Sequence, residues 1–202
     1  ASESEVVITK DATIWFRGRV VAVRREASGR AERIIYEIAG PWWYLERLVY
    51  QQPWAIQGSA DVYKSHVLLN LTTTGSIWST RDQIDDVLDW CSDTAAAEYG
   101  SAPFQWVKAD LPALEIPSDE VRDVTCAEVI RKQLRWMPDA VAWFDYSTTP
   151  PTLHVQRRAD LASVDLAVAP PISVVSLNPR YDLQVREEVP VQLEIRGPDD
   201  QV

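Results

Sequence analysis

Glycine, cysteine, histidine and methionine are all scarce in this chain of 202 residues, at seven, two, two and one. With so little glycine, no Gly-rich loop follows a strand, which excludes the phosphate cradles of P-loop and dinucleotide folds. Two cysteines cannot build a disulfide scaffold. Cys91 and Cys126 each sit in a helix-like segment beside apolar neighbours. They read as reduced, buried thiols, with a disulfide or a reactive thiol as the alternative. His66 and His154 lie in strand-like segments with no Cys, His or Asp at ligand spacing, so no metal site is expected. No Gly-x-Ser-x-Gly and no Cys–His pair placed by a known motif is present. The chain is therefore expected to be non-enzymatic and to carry no cofactor.

Positive charge is also short. Twenty Lys and Arg stand against thirty Asp and Glu, a net charge of −10, which argues against binding nucleic acid through phosphate neutralisation. Six arginines fall between Arg17 and Arg33, diluted by Glu26 and Glu32. That run reads either as a solvated hairpin or as a phosphate- or partner-binding patch. No apolar run approaches the ~20 residues of a membrane span, so no membrane insertion is expected. The start, Ala1-Ser2-Glu3-Ser4-Glu5, lacks the basic and apolar regions of a signal peptide. Synthesis and retention in the cytosol are expected, unless the protein leaves in an assembly.

What the chain has in abundance is tryptophan, nine in all. Trp favours cores, or interfaces where its N–H finds a partner. Trp15, Trp90, Trp106, Trp136 and Trp143 are embedded in apolar patterns and are expected mostly in the core. Trp42-Trp43-Tyr44 and Trp54 are the candidates for a sugar-stacking face, against which Trp42 falls on the apolar stripe of a short helix. Carboxylate pairs such as Glu115 with Asp119, or Asp139 with Asp145, are the ones available for glycosidase chemistry. In a chain with this many acids, such pairs carry little information.

The pattern alternates between strand and helix signals. Val6 to Thr9, Thr13 to Arg25 and Glu32 to Ala39 read as strands, with a turn at Ala27-Ser28-Gly29. Gly40-Pro41 opens a short helix with Trp42, Leu45 and Leu48-Val49 on one stripe. A strand from Ser65 to Thr73 follows. Thr80 and Gln83 mark a capping box for a helix reaching about Ala97. Its inner face is Ile84, Val87, Leu88 and Cys91; Asp82, Asp85, Asp86, Asp89 and Asp93 form a solvent-side stripe. After a loop punctuated by Pro103, Pro112 and Pro117, Thr125 and Glu128 make a second capping box. The helix they open carries Cys126, Val129, Ile130 and Leu134 at helical spacing and stops at Met137-Pro138. Ala140 to Tyr146 and Thr152 to Arg157 form a hairpin around Ser-Thr-Thr-Pro-Pro. Ile172 to Leu177, Tyr181 to Glu187 and Val191 to Arg196 return to strand. Strands at both ends around a helix–helix–hairpin centre read as one β unit interrupted by an inserted α+β unit. The boundaries are 1–75 plus 170–202 for the β domain and 76–169 for the insert.

Four segments carry a resemblance: YEIAGPWWYLERLVY (36–50), the acidic helix, DVTCAEVIRKQLRWMPDAVAWFDYSTTPPTLHVQRRADL (123–161) and VVSLNPRYDLQV (174–185). Together they resemble the N-terminal half of bacteriophage tail hub proteins, a family related to the baseplate hubs of contractile tails and the spike base of type VI secretion. The resemblance implies an α+β chain in which a split β-barrel receives an inserted α/β domain. It also implies self-association as a trimer or pseudo-hexameric ring, and contacts with the tail tube protein and other tail-tip proteins. DNA would pass without specific binding. The location would be the virion tail, assembled in the bacterial cytoplasm. Such hubs continue into a second barrel where this chain reaches Gly197-Pro198-Asp199-Asp200, so it is either a fragment or a short hub. The runner-up is a glycan-binding or glycan-cleaving tail-tip component. For association, Trp42 to Trp54 is the expected surface: one helix stripe buries only part of its aromatic set, leaving Trp43, Tyr44, Tyr50 or Trp54 for a partner.

Overall fold

The computed structural model describes residues 5–28, 31–53, 62–72, 74–161, 173–179 and 191–196. The N-terminal strands β1 (Glu5–Lys10), β2 (Thr13–Ser28) and β3 (Ala31–Ala39) form an antiparallel ribbon in the order β1-β2-β3. Bulges at Ile8/Thr9 and Val20/Ala22 shift its register. Where β2 passes β3, a side chain at Gly18 is impossible, because its Cβ would stand 2.4 Å from the Ala39 carbonyl.

The chain then enters a second layer. It comprises α1 (Trp42–Arg47), β4 (His66–Leu69), α2 (Thr80–Tyr99), β5 (Gln105–Trp106), β6 (Asp119–Arg122), α3 (Cys126–Leu134), β7 (Ala140–Asp145) and β8 (Thr152–Arg157). β4 pairs with β6, and β7-β8 is the expected hairpin, extended by β5 running parallel to β8. α2 and α3 are amphipathic by the periodicity read above: Ile84, Val87, Leu88 and Cys91 from α2, and Val129 and Ile130 from α3, are completely buried. Each such aliphatic side chain contributes about 1.5–3 kcal/mol through removal from water. The Thr125–Glu128 capping box forms as expected, with both reciprocal hydrogen bonds present. α2 ends at Gly100, whose φ of +85° suits glycine and whose N–H donates to the Ala96 carbonyl. Cys91 and Cys126 are free thiols, buried against each other between α2 and α3, where their mutual hydrogen bond and burial push the Cys91 thiol pKa up.

Helices and strands together make the protein α+β. Among the described residues no sheet closes into a barrel. β9 (Ser173–Pro179) and β10 (Val191–Arg196) pair antiparallel with each other as a separate two-stranded sheet. The expected strand at 181–187 lies outside the described residues. Leu45, Tyr50, Val67 and Leu69, assigned by sequence to the β domain, lie in one core cluster with residues of α2, α3 and the β7-β8 hairpin.

Several local expectations shift. Among the described residues the strand expected from Ser65 to Thr73 spans His66–Leu69, because Asn70 adopts φ +62° and Leu71 bridges Ile77. The inner face of α1 is Tyr44-Leu45-Leu48, with Trp42 half-buried and Val49 exposed. The cap of α2 is Ser79, not Thr80: Ser79 Oγ accepts from the Asp82 N–H. Thr80 instead uses its hydroxyl to donate to the Pro112 carbonyl and accept from the Leu114 N–H. Trp15 and Trp136, expected in the core, are exposed, Trp15 on the ribbon and Trp136 in the turn after α3.

Candidate interface site

The exit of α1 is stitched to the start of α3. The Tyr50 N–H donates to the Val124 carbonyl at 2.9 Å and the Cys126 N–H donates to the Leu48 carbonyl at 3.0 Å. These bonds draw the 48–50 segment into the core and decide the fate of the expected interface aromatics. Tyr50 is fully buried and Tyr44 nearly so, which removes both from any docking surface. Trp54 lies outside the described residues. Trp43 alone of the four remains half-exposed where described.

Trp43 belongs to an aromatic cluster rather than a bare surface. Its ring meets Tyr44 edge-on at 5.1 Å and Tyr99, at the end of α2, at 6.2 Å, while Tyr44 and Tyr99 meet at 5.4 Å. The Arg47 guanidinium lies 5.0 Å over Trp43 and that of Arg19, from β2, 4.8 Å over Tyr99. Cations over aromatic faces are attracted by the ring quadrupole. The cluster thus joins the ribbon to the α+β layer and leaves charge at its rim.

Tyr50 anchors a buried polar network that the sequence did not reveal. Its hydroxyl donates to the Asp86 carboxylate and accepts from Gln52 Nε2 at 2.9 Å and Gln83 Nε2 at 3.0 Å. Gln83 Oε1 in turn accepts from the Asn70 N–H at 2.7 Å. Burial and the adjoining carboxylate push the Tyr50 phenol pKa far up, so it stays a donor. Burial raises the Asp86 carboxyl above the usual range against the lowering effect of the Tyr50 hydrogen bond. Asp86 was expected on the solvent stripe of α2, and the structure corrects this. The available signal was spacing: Gln83, Asp86 and Trp90 form a second stripe beside the apolar one. Trp90 Nε1 donates to the Val49 carbonyl, and its ring stacks on Tyr63 at 4.8 Å. Asp85 accepts from Trp106 Nε1 at 2.9 Å and pairs with Lys108, which also reaches Asp82. Asp89 and Asp93 are the exposed part of the stripe.

Asp119, Asp139 and Asp145 each make local side-chain contacts. Asp139 holds Arg157 through two hydrogen bonds, and Arg157 keeps its pKa low. Asp145 accepts from the Ser147 N–H and hydroxyl at 2.8 Å each, and the backbone bond holds its pKa low. The two acids sit at opposite ends of β7, roughly 20 Å apart along extended chain. Glycosidic cleavage needs carboxylates about 5–9.5 Å apart. Asp119 pairs with Lys132. His66 contacts Glu120 and Arg122, and His154 stacks on Trp143. Among the described residues no group of three or more His, Cys, Asp or Glu side chains is placed to hold a metal ion.

The ribbon and the α+β layer flank a half-open pocket of about 260 Å³ at their junction, lined in part by Arg17, Arg19, Tyr44 and Pro150. Comparison with protein-family models, with curated proteins and with solved structures finds no match to this chain.

Proposed function

We propose that this protein is a structural component of a bacteriophage or prophage tail: the hub that joins the tail tube to the tip and leaves a channel for DNA. One observation carries the reading beside the sequence resemblance. Ile8, Trp15, Val23, Ile34 and Tyr36 on the β1–β3 ribbon are between 49% and 59% exposed. Val23 and Tyr36 stand opposite each other in register, and Ile34 follows two residues on, on the same face. Large apolar side chains clustered on an exposed sheet mark an interaction surface. In this account the ribbon and the β9-β10 pair are parts of one split barrel, and copies of the chain meet through it to form a trimer or a pseudo-sixfold ring. The tail tube and other tip proteins bind the ends of that ring. A net charge of −10 suits a passage that lets DNA through without holding it.

Sedimentation velocity on the purified chain tests the reading. A concentration-dependent oligomer that Tyr36→Asp disperses without lowering the melting temperature supports it. A monomer at all concentrations, unchanged by Tyr36→Asp, counts against it.

A further inference from the structure

One apolar face of the ribbon runs unbroken from its base to its tip. Phe16, Gly18 and Val20 alternate on that face of β2, and Val20 stands opposite Ile38. Tyr36 and Ile34 continue the face on β3, with Tyr36 opposite Val23. The base is covered, since Phe16, Val20 and Ile38 are half-buried. The tip is open: Val23, Ile34 and Tyr36 are between 55% and 59% exposed. β1 pairs with β2 only as far as Arg19, so among the described residues the ribbon beyond it is two strands wide. A two-stranded hairpin is marginal in water until its apolar face packs on something.

A pocket of matching chemistry lies at the base of the same face. Phe16, Trp42, Trp143, Phe144 and Tyr146 line a half-open space of about 270 Å³ where the ribbon meets α1 and the β7-β8 hairpin, and no Asp, Glu, Lys or Arg lines it. It is smaller than the ~300–1,000 Å³ of small-molecule sites and suits one or two apolar side chains. The tip of the same chain does not reach it. Val23 lies seven residues past Phe16 on β2, about 20 Å of extended strand. Tip and pocket meet only between copies.

We propose that the ribbon tip of one copy, Tyr36 with Val23 and Ile34, docks into the aromatic pocket at the ribbon base of the next. This contact rests on the self-association proposed above and adds the surface that each copy presents. A tyrosine fills such a site by packing its ring on the walls and leaving its hydroxyl at the wet mouth. Tip and base are different surfaces, so the contact is heterologous. Repeated head to tail, it builds rings rather than two-fold pairs.

The test mixes two variants of the full chain and reads mass by sedimentation velocity. Tyr36→Asp spoils the tip and keeps the pocket; Trp143→Arg spoils the pocket and keeps the tip. Each variant alone is expected to associate about 30-fold or more weakly than wild type. Mixed, they form a dimer and nothing larger, because one intact tip and one intact pocket remain, while wild type assembles beyond a dimer. A mixture that stays monomeric while wild type associates overturns the proposal, as does a wild type that stops at a dimer; the self-association survives both results. A wild type that is monomeric at all concentrations refutes the self-association and the docking with it. If Trp143→Arg fails to fold, Tyr36→Cys mixed with Trp143→Cys under mild oxidation decides. A disulfide-linked pair of one copy of each upholds the contact, and its absence overturns it.

Discussion

Replacing Tyr50 by Phe removes one oxygen and strands three groups. Gln52 Nε2 and Gln83 Nε2 each lose an acceptor inside the core, and Asp86 loses the hydroxyl that donates to it. Gln52 and Gln83 are 1% and 0% exposed, so water does not replace the lost partner. At about 1 kcal/mol per stranded group, the low end for buried polar atoms, Tyr50→Phe costs about 3 kcal/mol. For a chain of this size that lowers the melting temperature by about 6–12 °C. The loss also depends on pH. The Asp86 carboxyl is raised in the folded state by burial, so its contribution is fully present below the ordinary Asp range and fades as pH rises through the raised folded value. Without the Tyr50 hydrogen bond that pKa climbs further. The gap between Tyr50→Phe and wild type is therefore wider at pH 7 than at pH 4.5. Asp86→Asn keeps an acceptor for the phenol, removes the charge and abolishes this pH dependence. Thermal melts of wild type, both single variants and the double variant across that pH range measure the coupling. A Tyr50→Phe protein that melts with wild type while losing its oligomer refutes the core assignment and restores Tyr50 to the interface.

Other outcomes follow from the same geometry. Ser79→Ala removes the cap of α2 at a cost of about 1 kcal/mol in urea denaturation. Because the Ser79 hydroxyl holds Asp82 below its ordinary pKa, that cost is present above the ordinary Asp range and shrinks as pH falls through the depressed value. Thr125→Ala costs a similar amount through the α3 capping box. Trp43→Ala, at the half-buried edge of the Tyr44–Tyr99 cluster, lowers the melting temperature by a few degrees; an unchanged melt with a lost oligomer assigns the ring to a partner instead. Peptidoglycan and host polysaccharide are neither retained nor cleaved by the protein; release of sugar fragments favours the glycan-directed alternative.

What was legible in the sequence was local. The α3 cap, the α2 inner face and the β7-β8 hairpin rest on spacings within a few residues, and all three form. What was not legible depended on distant partners. Thr80 looked like a cap because it is a hydroxyl at a helix start, but its oxygen is engaged by Pro112 and Leu114, more than thirty residues away. Tyr50 looked spare because one helix stripe cannot bury the whole aromatic set; the bonds from Leu48 and Tyr50 to the α3 start decide otherwise. By sequence alone β5 and β6 read as loop, because one is two residues long and the other is Asp-Glu-Val-Arg, with a single apolar side chain. Pairing to β8 and to β4 makes them strands.

The proposed function places this chain in a phage tail, at the junction of tube and tip. Immunogold labelling of mature particles, with antibody raised against the purified chain, tests it most directly. Label is expected at the distal end of the tail tube. Particles that carry no label, in a host where the protein is abundant, contradict it.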